Sequence, residues 1–473
     1  MEEWVKKIFR YEKQKRGEPL EVKRVGKNYY LYKSTTVWIK GERKRRKVSK
    51  YIGKLTERGI VEGSRTKRYV RSIYEYGNAK LLIDIMKEII DPLKDVFPEE
   101  YREIIAMGIL KVLQPTPLKL MKSRWEKIYL CREIDASLSR NIISKKLRRI
   151  GGNWSSQRKF FDYLLKGSNY LLFDLSSIVS YSENVALAEK GYKTDNLYLK
   201  QINFALIYSV ENNLPVMIKA IPGSVRDINC FKNTIRSMDI KSCVVILDRG
   251  FASYDLAELM REKEIKFILP LRRNFKIIDY NLEMEGSFIY RDSGINWGKK
   301  SIGKSYIYLY EDVKLRAEEE TTFIEMIENR KRARKDIIKE RKKFGKISIL
   351  SNLNIPAQQV YLFYKQRESV EVAFDAMKNE LENDKTYLSD DDAVRGYFFI
   401  SFVSLYLYFR ILNLLKQKNL IGKISPNELL FELSKVYLIY YSDQEKSLSE
   451  IPAKAEKMNN ILELNLFPKT LGS

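Results

Sequence analysis

Three acidic residues stand where carboxylates are costly or conspicuous. Asp174 lies inside the apolar run LLFDLSS. A mid-strand carboxylate in a buried sheet needs a metal ion or a strong hydrogen-bond set to offset its desolvation. Asp248 closes the apolar run CVVILD just before the Arg249–Gly250 turn, and strand ends in such sheets are where ligands bind. Each aspartate alone also reads as a capping or turn residue. The third acid comes from helix geometry. Tyr364, Arg367, Glu371 and Lys378 are spaced by 3, 4 and 7 residues, which at about 100° per residue is a stripe about 60° wide. Val370, Ala373, Phe374, Met377 and Leu381 fill a neighbouring apolar sector. Such a helix packs on a sheet while presenting a carboxylate among two cations and a phenol. The plainer alternative is a solvated face with an Arg367–Glu371 pair. Glu368 and Asp375 flank the same face, so helix geometry alone does not single out Glu371.

Asp, Asp and Glu suit hard, oxygen-seeking cations such as Mg²⁺ or Mn²⁺. Zinc is disfavoured: the chain has no histidine, and Cys131, Cys230 and Cys243 form no C-x-x-C. Histidine-based catalysis is excluded for the same reason. Two divalent ions about 3.5–4 Å apart activate a water or a 3′-hydroxyl for in-line phosphodiester attack. The charge balance points the same way, since 86 Lys/Arg oppose 61 Asp/Glu for a net +25, which calls for a polyanionic partner. Chemistry and charge converge on cleavage or transfer of DNA strands.

The elements that must position these groups follow from patterning. At 473 residues the chain is long enough for about three domains. Residues 28–56 read as strands around a basic turn, with eight Lys/Arg between Lys40 and Lys54 against Glu42 alone. That hairpin is either a solvated surface or a phosphate-contacting arm, with Arg43, Arg45 and Arg46 as its DNA contacts. From about Asn78 to Leu165 the spacing is helical, and Lys145, Lys146, Arg148 and Arg149 are available to a phosphate backbone. From Asn169 the pattern becomes α/β, giving a mixed sheet with flanking helices. Residues 274–355 interrupt it with short aromatic strands and a long charged helix; ten Lys/Arg fall in 330–346. The apolar run Gly396–Phe409 is short of a membrane span and is expected to be a buried helix. The N-terminus, MEEWVKKIFRYEK, lacks an apolar leader core, so no signal peptide is expected.

These residues resemble a known family, the DDE transposases of bacterial and archaeal insertion sequences, of the insertion-sequence-4 type and its relatives. That group carries a Y-x2-R-x3-E-x6-K signature, matched by YKQRESVEVAFDAMK at Tyr364, Arg367, Glu371 and Lys378. FDLSSI resembles the block around the first aspartate, Asp174, and VILDRGFAS the block around the second, Asp248. GYKTD (191–195), IPGSVRD (221–227) and RGYFFISF resemble accessory blocks, and the hairpin ending in YIGKL resembles the family's entry segment. Separations of 74 residues (174 to 248) and 123 residues (248 to 371) fit the family plan.

The resemblance implies an RNase H-like catalytic core interrupted by a mainly β insertion and preceded by a β-hairpin and helical DNA-binding region. The expected divisions are a basic hairpin segment (1–60), a helical DNA-binding domain (61–168), the first part of the core (169–273), the insertion (274–355), the second part with the glutamate helix (356–420), and a helical tail (421–473). It implies two Mg²⁺ ions, replaceable by Mn²⁺, held by Asp174, Asp248 and Glu371, with Tyr364, Arg367 and Lys378 on phosphates near the transposon end. It further implies cut-and-paste transposition on double-stranded transposon-end and target DNA, by a homodimer, in the prokaryotic cytoplasm at the nucleoid. Trp297 in INWGKK would stack on an unpaired base, against its plainer reading as a strand tryptophan. Asp227 reads as a helix cap and Asp195 as a loop residue. A catalytically dead DNA-binding protein and another RNase H-like nuclease are the competing functions.

Overall fold

The computed structural model describes residues 2–39, 44–57, 59–62, 69–190, 199–225, 227–236, 242–329, 331, 333, 335–382, 385–442 and 445–468. Arg43, Asp195 and the GYKTD block lie outside the described residues, as do the side chains of Asp227 and Cys230. The chain divides into two compact units, Met1–Ser72 with Tyr440–Lys446, and Ile73–Ile439 with Ser447–Ser473.

The first unit is a helix on a sheet. Helix α1 (Glu3–Arg16) ends at Gly17, whose φ of 61° is the left-handed conformation that terminates helices. It is followed by an antiparallel sheet of β1 (Leu20–Val25), β2 (Asn28–Ile39), β3 (Lys44–Thr56) and β4 (Gly59–Glu62), in that order. Trp4, Val5, Ile8 and Phe9 of α1 cluster with Tyr29, Leu31 and Leu55. The register passes from Leu31↔Gly53 to Tyr32↔Tyr51, leaving Ile52 as the extra residue of a β-bulge. The expected strands are present on either side of residues 40–43, and the basic turn itself lies outside the described residues. Helix α1 was not anticipated.

The second unit opens with α2 (Gly77–Val96), α3 (Tyr101–Leu113), α4 (Arg140–Gly152) and α5 (Trp154–Leu165). Its sheet is built from β5 (Tyr170–Ser180), β6 (Lys200–Ser209) and β7 (Leu214–Pro222), then α6 (Asp227–Arg236), β8 (Val244–Leu247), α7 (Tyr254–Glu262) and β9 (Lys266–Leu271). Strands β5, β6 and β7 form an antiparallel meander, while β8 runs parallel to both β5 and β9. The spatial order is therefore β7-β6-β5-β8-β9, the strand order of an RNase H-like core. The interruption does not stand apart. Strands β10 (Gly286–Tyr290), β11 (Ser293–Ile302) and β12 (Ser305–Asp312), helix α8 (Val313–Glu328) and β13 (Lys346–Ser351) follow in sequence, and β13 pairs antiparallel with β9. One sheet of 11 strands thus runs from insertion to core.

The tail expected to be helical also contains the strands Tyr437–Tyr441 and Lys446–Leu448, and two further elements differ from expectation. The basic stretch 330–346 does not prolong α8; among its described residues the short helix Asp336–Glu340 and a 3-10 turn at Arg341–Lys343 form instead. Closely spaced cations repel along a helix and lower its stability. The apolar helix is longer than the run that announced it. After α9 (Ala357–Lys365) and α10 (Glu368–Asp375), helix α11 spans Asp391–Gln417, 27 residues. It is long and apolar enough to cross a membrane, yet 78% of its most apolar window is buried within the protein. Its close packing depends on two glycines: a Cβ on Gly151 would fall 1.7 Å from the Asp392 carbonyl oxygen, and one on Gly396 2.0 Å from that of Leu147. Phe399 meets Phe97, Phe160 and Phe161, and Phe398 meets Phe204 of the sheet. The helical layer and the sheet therefore share one core.

Candidate active site

Asp174 sits in β5 opposite Leu206 of β6. On its other side, the parallel ladder with β8 ends at Phe173↔Leu247. Asp248 continues β8 in extended conformation, with φ −81° and ψ 159°. It is therefore the next register position after that pair, beside Asp174 and on the same face of strands about 4.8 Å apart. Phe173 points the other way, into Phe231 and Phe251. Alternation along the strand thus directs both carboxylates away from α6.

The glutamate helix lies on the carboxylate face. Phe204, which shares that face of β6 with Leu206, meets Phe374 of α10 edge-on at 5.5 Å. Val370 and Ala373 of α10 are buried, whereas Glu371 is exposed. The apolar sector read from the sequence is accordingly the packed one. The single continuous helix is not what forms. The chain turns at Gln366 and Arg367 between α9 and α10, and residues Ala376–Glu380 wind as a π-helix, a local over-widening that recurs at functional sites. Tyr364 therefore lies on α9 and Lys378 in the π turn.

Arg367 joins two of the three acids. One terminal nitrogen, Nη1, donates to Asp248 Oδ1; Nη2 and Nε donate to Glu371 Oε1 at 2.6 and 3.2 Å. Partial burial acts to lower the guanidinium pKa, but the bond to Glu371 and the charge of Asp248 outweigh it and raise it overall. The second oxygen of Asp248 accepts from Gly250 N at 3.1 Å, so Asp248 caps its turn as well as binding Arg367. Asp174 Oδ1 accepts from Leu175 N at 2.7 Å. Burial pushes the Lys378 ammonium below the usual lysine range.

A cavity of about 440 Å³ adjoins Tyr364 and is lined by Arg249, Arg272, Arg273 and Lys365, with Glu319 the acidic group on its wall. Arg273 is bound to Glu319 at 2.7 and 2.9 Å. Arg272 donates to the Gly250 carbonyl at 2.8 Å and so braces the turn that carries Asp248. Sequence reading passed over Arg272 and Arg273. Their signal was a pair of arginines ending the apolar strand KFILPL.

Residues 172–407 match the family described as Transposase DDE domain. The chain belongs to the DDE transposases. Such enzymes cleave DNA and transfer its strands using divalent metals. No curated protein sequence matches the chain. Among solved structures it is similar to one described as a cryo-EM structure of piggyBac transposase synaptic complex with hairpin DNA, at 13% identity and a TM-score of 0.39, covering 84% of this chain and 86% of that one.

The residues fit a divalent metal in donor type, all three being hard carboxylates. Two aspartates share one face at adjacent register positions, and the glutamate is tied to the second aspartate through a common cation. Among the described residues no three such groups are gathered into a closed ligand set. Arg367 supplies the positive charge between Asp248 and Glu371 instead.

Other sequence-derived residues fall elsewhere. Trp297 lies on β11, opposite Gly286 of β10, and its indole covers that glycine. Asp227 opens α6. Arg45 and Arg46 are exposed on β3, opposite Trp38 and Val37. Three of the basic residues of α4 are engaged within the protein, while Lys145 is exposed. Arg149 meets Glu99 and Glu100 at 2.5 and 3.0 Å, Lys146 meets Glu103 at 3.5 Å, and Arg148 meets Asp390 at 2.8 Å.

Proposed function

We propose that this DDE transposase serves an insertion sequence: it binds terminal inverted repeats and moves the element by cutting and rejoining both DNA ends. The observation that carries the reading is the Asp248–Arg367–Glu371 bridge beside Asp174 on one sheet face. Asp174, Asp248 and Glu371 are the catalytic carboxylates, and they would hold Mg²⁺ or Mn²⁺ through hard oxygen donors. When bound, a pair of such ions activates the attacking hydroxyl and stabilises the leaving oxygen.

The protein's own groups do the rest. Arg272 holds the turn after Asp248, fixing that carboxylate relative to β5. Arg367 balances Asp248 and Glu371 before DNA arrives and would exchange them for a phosphate near the cut. Tyr364 and Lys378 would contact phosphates near the transposon end, and the cavity of Arg249, Arg272, Arg273 and Lys365 offers a phosphate a cationic wall. Arg43, Arg45 and Arg46 contact duplex DNA, and Trp297 is the candidate for stacking on an unpaired base. The working form is a homodimer on paired ends, acting at the prokaryotic nucleoid.

The test uses a labelled transposon-end duplex with Mg²⁺ or Mn²⁺ and the wild type beside Asp174→Asn, Asp248→Asn and Glu371→Gln. Cutting is expected to disappear in all three while duplex binding stays. Wild-type nicking by any one of them removes that residue from the site. Binding without metal-dependent cutting by the wild type would favour the dead DNA-binding alternative.

A further inference from the structure

The hairpin of the first unit outruns its own core. Strand β1 pairs with β2 only up to Lys33, and β4 pairs with β3 only from Gly53. Beyond those limits the β2–β3 ladder continues from Ser34↔Ser49 to Ile39↔Lys44, with Ser34 N still donating to Pro19 O at 2.9 Å and no third strand from Thr35 on among the described residues. The buried cluster stops at Tyr29, Leu31 and Leu55. The result is a two-stranded ribbon of six residue pairs, about 20 Å long at about 3.4 Å per residue. A free two-stranded ribbon is marginal in water, yet this one exposes Val37, Trp38 and Val48 at 50, 55 and 44%.

The two faces differ. Alternation places Thr35, Val37, Arg46 and Val48 on one face, and Thr36, Trp38, Arg45 and Lys47 on the other. Lys47 is held by Glu21 at 2.8 Å. The first face is shallow, with short branched side chains around one guanidinium. The second carries the bulky indole. Charge selects the occupant: residues 1–72 hold 23 Lys/Arg against 8 Asp/Glu, a net +15 out of the chain's +25.

We infer that this ribbon enters the major groove of duplex DNA with the Thr35–Val37–Arg46–Val48 face against the base edges, so that it reads sequence as well as binding phosphate. The major groove, about 12 Å wide, admits a two-stranded ribbon; an arginine there bonds guanine O6 and N7, and branched methyl groups contact the thymine methyl. Arg45, on the opposite face, then serves affinity without selecting bases. The inference rests on the reading of duplex DNA as the partner and adds which side chain selects the bases.

The experiment selects bound duplexes from a random-sequence 40-base-pair pool (about four turns of helix) with the full-length wild type, Arg46→Ala and Arg45→Ala, all three confirmed as folded by circular dichroism. Wild type is expected to enrich a motif containing guanine, and N7-methylation of that guanine to block its binding. Arg46→Ala should lose preference at that position by about 5- to 150-fold while still binding duplexes. Arg45→Ala should weaken all duplexes alike and keep the motif. An unenriched pool, an unchanged motif with Arg46→Ala, equal effects of both substitutions, or preference for a single-stranded competitor would each overturn the inference. Metal-dependent cutting is measured in parallel: a ribbon that fails while cutting persists sinks only this inference, whereas base selection without cutting sinks only the catalytic reading.

Discussion

The glutamate-bearing helix region and the N-terminal ribbon are both rich in cations, but they hold them in opposite ways. Around α10, Arg367 is partly buried, bonded to two carboxylates and fixed by a sheet beneath. On the ribbon, Arg45 and Arg46 stand exposed on a ladder with no buried residue among those described. A bonded, partly buried charge acts through position, because few other geometries satisfy it. An exposed charge acts through number and screening, because water competes with each contact. The first region suits chemistry at one bond; the second suits capture of a long polyanion.

The largest effect is expected at the carboxylates. Replacing Asp248 by Asn should reduce cleavage by well over the ~100-fold that loss of a metal's outer partner costs, with duplex affinity nearly unchanged; gel assays of cutting and binding on one probe measure both. If binding fell in parallel with cutting, the two regions would not be separable. The next effect belongs to the ribbon. Arg43, Arg45 and Arg46 changed together to Ala should lower the slope of log affinity against log salt by about 1.8, at about 0.9 for each of the two phosphates that Arg43 and Arg45 no longer neutralise. Between 50 and 200 mM salt that amounts to about 12-fold in the response. Fluorescence anisotropy across a salt series would show it, and an unaltered slope would mean the ribbon does not touch DNA.

A sharper test separates position from charge at Arg367. Replacing it with Ala leaves Asp248 and Glu371 without their shared cation. Mn²⁺ affinity without DNA, followed by isothermal titration calorimetry, should then tighten about tenfold, the effect of about 1.4 kcal/mol of removed repulsion, while cleavage falls. Weaker metal binding would show that Arg367 organises the acids rather than competing for them. The smallest expected effect is at Lys378. Because burial lowers its pKa, its charge is present below the folded-state value and is lost as pH rises through it, before an exposed lysine would titrate. The same burial opposes folding while the group is charged, a cost that fades over that window. Lys378→Arg should therefore move the alkaline fall of end binding to higher pH by a few-fold in affinity; coincident pH profiles would remove Lys378 from the DNA contacts.

Much of the site was legible because its signals are local. An aspartate inside LLFDLSS and another closing CVVILD are anomalies against their own neighbours, and the spacing of Val370, Ala373 and Phe374 identifies the face that packs. The cations were less legible. Lys146, Arg148 and Arg149 read as a DNA-facing stripe, yet their partners Glu103, Asp390, Glu99 and Glu100 lie tens to hundreds of residues away in the chain. Counting charge along a sequence cannot reveal a counter-charge supplied by another element.

The set of groups and the faces they occupy follow from local patterning, because period-two and helical spacing fixes which side chains point together, whatever the rest of the chain does. Only the tertiary structure decided that β8 lies beside β5, that the helix turns at Gln366 and widens at Ala376, and that Arg367 comes to rest between Asp248 and Glu371. Those outcomes depend on strand order and on contacts between distant segments, which no local pattern encodes.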